Sequence, residues 1–216
     1  RIKLLNTAYT MIYSTILIAS VLYNAYIISA WEEGVATYYT ELGQSNPGEG
    51  NACGNPEPPY HFAATGQDLW AWGYGCGACY QIKCIDSAEG GSCGCSHNNP
   101  VTMQIINRCD ECRSPGVGID FDLRIETRNA IGSNCGKTKI EYQRVDCPNT
   151  GGIKIQNKAS GRWWVGLYIY NVAGRGALDG VKLRSKSGEH WKVCEIRDQN
   201  YWFCGENLVD DFPYTI

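Results

Sequence analysis

Cys76-Gly77-Ala78-Cys79-Tyr80-Gln81-Ile82-Lys83-Cys84 is the stretch that decides the fold. Three cysteines in nine residues bracket a short alternating run, Tyr80 to Lys83, that reads as a β-strand. Cysteine spent this densely ties loops together where a large apolar core is lacking. The pattern extends well beyond the run. Cys53, Cys76, Cys79, Cys84, Cys93, Cys95, Cys109, Cys112, Cys135 and Cys147 precede a turn-rich Pro148-Asn149-Thr150-Gly151-Gly152, and only Cys194 and Cys204 follow it. In an oxidising compartment these 12 form a disulfide framework. In the cytosol, Cys76/Cys79 and Cys109/Cys112 would instead make a four-thiolate zinc site.

The N-terminal segment favours oxidation. Met11 to Ala30 carries no charge, follows Arg1 and Lys3, and ends on Ile28-Ser29-Ala30. This is the layout of a signal peptide cleaved near Ala30-Trp31. An uncleaved anchor competes, because a span needs about 20 apolar residues, but Tyr13, Ser14, Ser20, Tyr23 and Asn24 dilute the stretch. Met11 stands where an initiator would give a signal peptide of ordinary length, so residues 1–10 are expected to lie outside the natural product. Secretion selects disulfides over zinc, and neither metal nor cofactor is expected.

Net charge is −3, and loss of residues 1–30 removes two basic residues and no acid. Without a basic block interleaved with aromatics, nucleic acid is not an expected partner. Nor is a membrane once the signal is cleaved, and the chain is expected to be a monomer. Seven Trp and 14 Tyr in a cystine-rich chain imply exposed rings. Exposed aromatics with little charge suit the flat C–H faces of sugars.

The change in cysteine usage predicts two domains: a disulfide-rich β-barrel over 31–148, a linker over 149–152 and a β-sandwich over 153–216. Barrel strands are expected at Val35-Ala36-Thr37-Tyr38-Tyr39, Cys79 to Cys84, Val101 to Ile106 and Ile140 to Val145, with one helix from Leu123 to Ile131 stopped by Gly132. The second domain alternates with period two at Gly152–Gln156, Trp164–Tyr170, Val181–Ser185 and His190–Cys194, and Cys194 and Cys204 are placed to close a hairpin. Five or six strands are expected where a sandwich usually has about seven, so this domain is expected to be truncated at its C-terminus.

Taken together, Ala36-Thr37-Tyr38-Tyr39, Ala52-Cys53-Gly54, the Cys76–Cys84 run, Phe121-Asp122-Leu123, Tyr170-Asn171-Val172-Ala173-Gly174-Arg175-Gly176 and Trp163-Trp164 resemble an expansin. The adjacent Trp pair looks more like microbial-type expansins than plant ones. The resemblance implies a mainly β protein: a six-stranded double-psi β-barrel, similar to that of family 45 glycoside hydrolases, followed by an immunoglobulin-like β-sandwich that binds cellulose. It implies loosening of cell walls without hydrolysis, acting on cellulose and matrix polysaccharides such as xyloglucan or another β-glucan. It also implies the pairs Cys53–Cys76 and Cys79–Cys147, and Cys84 with Cys93 or Cys95, leaving the rest open.

Asp122 is the leading catalytic candidate, and the resemblance makes it the retained acid. Between Phe121 and an apolar segment its carboxyl would be partly desolvated and held protonated; the alternative is a helix N-cap. Asp120 is expected on the opposite face as a solvated acid. A glycosidase needs a second carboxylate; expansins lack it, the resemblance to family 45 enzymes puts its place near Thr40-Glu41, and a surface Glu in a Gly-rich loop is the blander reading of Glu41. Asn107 stands where several relatives have Asp, and Asp120 stands where plant members have His. Asn107 can hydrogen-bond glucan hydroxyls but cannot act as an acid. Thr37, Tyr39 and Trp70 or Trp72 would line a groove, or else pack in the core.

In the second domain, Trp163, Trp164 and Tyr201 or Trp202 would stack on sugar. Adjacent residues of a strand face opposite ways, so Trp163 must sit on a loop or bulge for both Trp to serve. Two further readings compete with non-hydrolytic loosening: an endoglucanase with Asp122 as acid and Glu41 as base, and a non-catalytic carbohydrate-binding or defence module.

Overall fold

A computed structural model describes residues 31–40, 51–113, 118–161, 163–185, 191–197, 199–205 and 214–215. The expected signal segment and Glu41 lie outside the described residues.

Six strands close a barrel. They are β1 (Glu32–Tyr39), β2 (Phe62–Thr65), β3 (Cys79–Ser87), β4 (Val101–Arg108), β5 (Phe121–Arg124) and β6 (Thr138–Val145). The order around the barrel is β1-β5-β2-β4-β3-β6. Two pairings are parallel, β1 with β5 and β2 with β4. Parallel neighbours need crossover connections, so the chain crosses over between β1 and β5 and between β2 and β4. Alternate residues face in: Ala36, Ala63, Ile82, Met103, Ile105, Phe121, Leu123 and Ile140 form one buried cluster.

The strand at Phe121–Arg124 corrects the expected helix. The helix itself, α2 (Ile125–Ala130), starts after β5; an earlier one, α1 (Gln67–Trp70), follows β2. Leu123 recurs at helical spacing with Thr127 and Ile131, but its partner β1 lies about 85 residues away in sequence and holds it extended. Thr127 is buried, and its hydroxyl both accepts from the Phe62 N–H (3.1 Å) and donates to the Phe62 carbonyl (3.2 Å). Gly132, at φ 75°, ends the turn as expected.

Six disulfides join Cys53–Cys76, Cys79–Cys147, Cys84–Cys95, Cys93–Cys135, Cys109–Cys112 and Cys194–Cys204. The two C-x-x-C pairs therefore do not combine into a zinc site. Cys84 takes Cys95, and Cys194–Cys204 staples two neighbouring strands.

The second sheet is β7 (Lys154–Gly161), β8 (Trp164–Tyr170), β9 (Val181–Ser185), β10 (Lys192–Arg197), β11 (Tyr201–Cys204) and β12 (Tyr214–Thr215), in the order β12-β9-β10-β11-β8-β7. It curls so that Val165, Leu167, Ile169, Val181, Leu183 and Trp202 share one core, consistent with an immunoglobulin-like sandwich.

The barrel and this sheet meet along a seam of close backbone approaches. Asn200 Nδ2 donates to the Cys53 carbonyl (3.1 Å) and the Ile169 carbonyl (2.8 Å). Arg144 donates to the Arg175 carbonyl at 2.6 Å, and Tyr74 meets Trp202 edge-on. Gly73 is required here: it sits at φ 98°, and a Cβ would strike the Gln199 carbonyl. Gly73→Ala is expected to cost roughly 1–3 kcal/mol, read as a lowered midpoint in thermal unfolding.

Candidate functional site

β5 is flanked by β1 on one side and β2 on the other, and registers fix what stands beside Asp122. Thr37 of β1 and Ala64 of β2 are its cross-strand partners, and Ala64 in turn pairs with Asn107 of β4. A row Thr37–Asp122–Ala64–Asn107 therefore crosses the outside of the barrel. Strand spacing puts Asp122 and Asn107 about 10 Å apart. The small Ala64 makes a floor between them. Cys109 and Cys112 pack on Ala64 with Tyr39 and Ile119, so their disulfide walls one side of the floor.

Asp122 is half-buried, not an N-cap; the helix is capped at Arg124. Thr37 Oγ1 donates to Asp122 Oδ1 at 2.7 Å. Burial raises the Asp122 carboxyl above the ordinary aspartate value, the Thr37 hydroxyl opposes this, and the Glu111 charge adds to the rise. The same neighbourhood pushes the Tyr39 phenol up, through burial first and the Asp122 charge second. Thr37→Val should therefore raise the Asp122 titration further, seen as an upward shift of its carboxyl resonance in an NMR pH titration.

Asp120 corrects its sequence expectation. It was expected to be solvated, but its carboxyl lies against Gly34 and the Tyr142 ring. It accepts the Val35 N–H at 2.9 Å. Burial raises its pKa, and the Asp68 and Glu32 charges add to the rise. It is a second partly desolvated acid, not a solvated one.

Asn107 is held in place: its Oδ1 accepts the Ala52 N–H at 2.9 Å. Through Ala52 the row reaches the Cys53-Gly54 loop, where the Tyr168 ring of β8 lies over Gly54. From there the outer face of the second sheet continues the track. Tyr168 pairs with Tyr201, their rings 5.9 Å apart and edge-on. Trp164 stacks on Phe203 at 5.5 Å and 29°. Arg197 lies over Phe203, and Lys158 over Tyr168. Trp163 is in the turn between β7 and β8 and is exposed, as a joint role for the Trp pair requires.

Two of the expected aromatics are displaced. Trp70 is buried beside Cys53–Cys76, and Trp202 is buried in the sheet core with its Nε1 donating to Asn200. Neither can stack on a sugar. Trp72, by contrast, is exposed. Tyr168, Tyr170 and Phe203 were missed, although period-two counting from Trp164 places Tyr168 and Tyr170 on its face. Glu111 was missed because no local pattern ties it to β5.

Mainly β, with a closed double-psi barrel and a second curled sheet, the chain has the architecture of an expansin. Comparison with known proteins agrees. Expansin-A12 of Arabidopsis thaliana is 29% identical over 193 residues, 84% of this chain and 75% of that protein. Expansin-A17 of Oryza sativa subsp. japonica is 27% identical over 185 residues, 76% of this chain and 61% of that protein. Expansin-B3 of Arabidopsis thaliana is 27% identical over 203 residues, covering 87% and 74%. No protein-family profile matches. A solved apo expansin of Clavibacter michiganensis shares the fold, with TM-score 0.64 and 23% identity over 86% of this chain and 83% of that one. A mutant of that protein in complex with cellohexaose gives 0.66 and 24% over the same shares. The chain is thus expansin-like in sequence and fold.

Proposed function

We propose that the protein is secreted, binds cellulose and related β-glucans, and loosens cell walls without hydrolysing them. The observation that carries this is the row Thr37–Asp122–Ala64–Asn107: one raised carboxyl, and across the floor an amide that cannot take a proton. Asp122, protonated in mildly acidic solution, donates a hydrogen bond to a glucan oxygen. Asn107 and Thr37 orient hydroxyls, and the aromatic outer face of β8 and β11 grips the chain by stacking. The crystallised Clavibacter michiganensis relative in complex with cellohexaose supports a glucan as ligand. Six disulfides suit an extracellular protein.

Glu111, whose charge reaches Asp122, supports a second reading, hydrolysis. An inverting glycosidase needs a base about 6.5–9.5 Å from its acid, and Glu111 joins Glu41 as a candidate base. Incubation with insoluble cellulose and with xyloglucan, followed by assays of bound protein and of reducing ends, tests both. Binding without new reducing ends supports loosening. New reducing ends that vanish in Glu111→Gln or Glu41→Gln support hydrolysis.

A further inference from the structure

Trp72 is 78% exposed. A lone exposed Trp needs no explanation, but its backbone does. Trp72 sits at φ 60°, ψ 28°, directly after Ala71 at φ 47°, ψ 48°. Two successive L-residues in the left-handed region are uncommon, and a bulky aromatic there is an outlier. Gly or Asn would adopt the same turn more readily. The turn is rigid without help from the indole. Ala71 N–H donates to the Gln67 carbonyl, Tyr74 N–H to Ala71 and Gly75 N–H to Trp70 at 3.1 and 3.0 Å. Trp70 anchors it in the core, and Gly73 lies against Gln199.

The place of this turn gives the indole a use. Cys76, four residues on, is disulfide-bonded to Cys53 in the loop that bonds Asn107 and lies under Tyr168. Gln199 is two residues before Tyr201. The turn that carries the exposed Trp72 thus stands at the seam, beside the loop that bonds Asn107 and the residues that lead into Tyr201.

Resting on the glucan-binding reading above, we propose that Trp72 is a stacking platform for a pyranose ring of a β-linked glucan, lying between the two binding surfaces so that one chain engages both. A backbone already held in place loses little freedom on binding, and joining two weak surfaces along one polymer raises avidity beyond either.

Trp72→Gly separates fit from function. Its expected signature is a thermal midpoint equal to or above that of the unmodified protein, together with affinity for insoluble cellulose reduced roughly three- to tenfold, as for one lost aromatic contact. Trp72→Phe should recover part of that loss. Unchanged affinity in Trp72→Gly would overturn the assignment. So would a lowered midpoint accompanying the loss, since the indole would then be structural. Absence of glucan binding by the unmodified protein would overturn the underlying functional reading as well, and is read in the same pull-down.

Discussion

Replacing Asp122 with Asn is expected to abolish wall extension, by roughly tenfold or more, while cellulose binding stays within about twofold of the unmodified protein. The amide keeps the shape and can still meet Thr37, but it cannot offer an acidic proton. The loss should not come from unfolding, and the pKa directions say why. Burial holds the Asp122 carboxyl above its ordinary 3.8 in the folded chain. The folded state therefore binds the proton more tightly than the unfolded state, and stability falls as pH rises from 3.8 through the raised folded value. Below that window the contribution is fully present. Asp120 is shifted in the same direction. The unmodified protein should thus unfold at a higher temperature in mild acid than at neutral pH. Asp122→Asn should be at least as stable at neutral pH and should show a shallower pH slope, Asp120 supplying what remains. Thermal unfolding from pH 4 to pH 8 checks this; an unchanged slope would mean that Asp122 is not desolvated.

Loss of Cys79–Cys147 should have the largest effect on stability. This bond closes a loop with a sequence separation of 68, which the loop-entropy account values at about 4 kcal/mol. It also joins the start of β3 to the end of β6, beside the seam, where Cys147 N–H donates to Gly174 at 2.6 Å. Changing both cysteines to Ser should lower the thermal midpoint by roughly 10 °C for a chain of this size. Removing Cys109–Cys112, with a separation of only 3, should cost less stability and instead loosen the wall over Ala64. The comparison of midpoint with cellulose affinity across the two double variants separates frame from site.

Much of the barrel was legible because its strands alternate over cysteine-punctuated runs, and alternation is a local signal. β5 was not, because Phe121-Asp122-Leu123-Arg124 is short and continues into a true helix; only pairing with the distant β1 makes it a strand. The same limit governs the aromatics. Tyr201 and Trp202 are neighbours, so one faces the core and the other the outer surface, and a one-residue change of register exchanges them. Once Cys204 is bonded to Cys194 and Trp202 enters the core, Tyr201 and Phe203 must face outward. Asp122 was identified from its motif, whereas its partner Thr37 was named as a groove residue without the hydrogen bond that joins them. Asp120 was read as a solvated acid because only the fold brings the distant Val35 N–H to its carboxyl. Trp72 was named only as an alternative to Trp70, since no sequence pattern announces a left-handed turn without Gly or Asn.

Loosening without cleavage is what would separate this protein from a glucan hydrolase. A strip of heat-inactivated plant cell wall held under constant load, with purified protein added and the bath assayed for released sugar, tests it in one vessel. Extension in mild acid with no sugar released is the expected result, with no extension by Asp122→Asn. Extension accompanied by sugar release would contradict it and make the protein a glucan hydrolase.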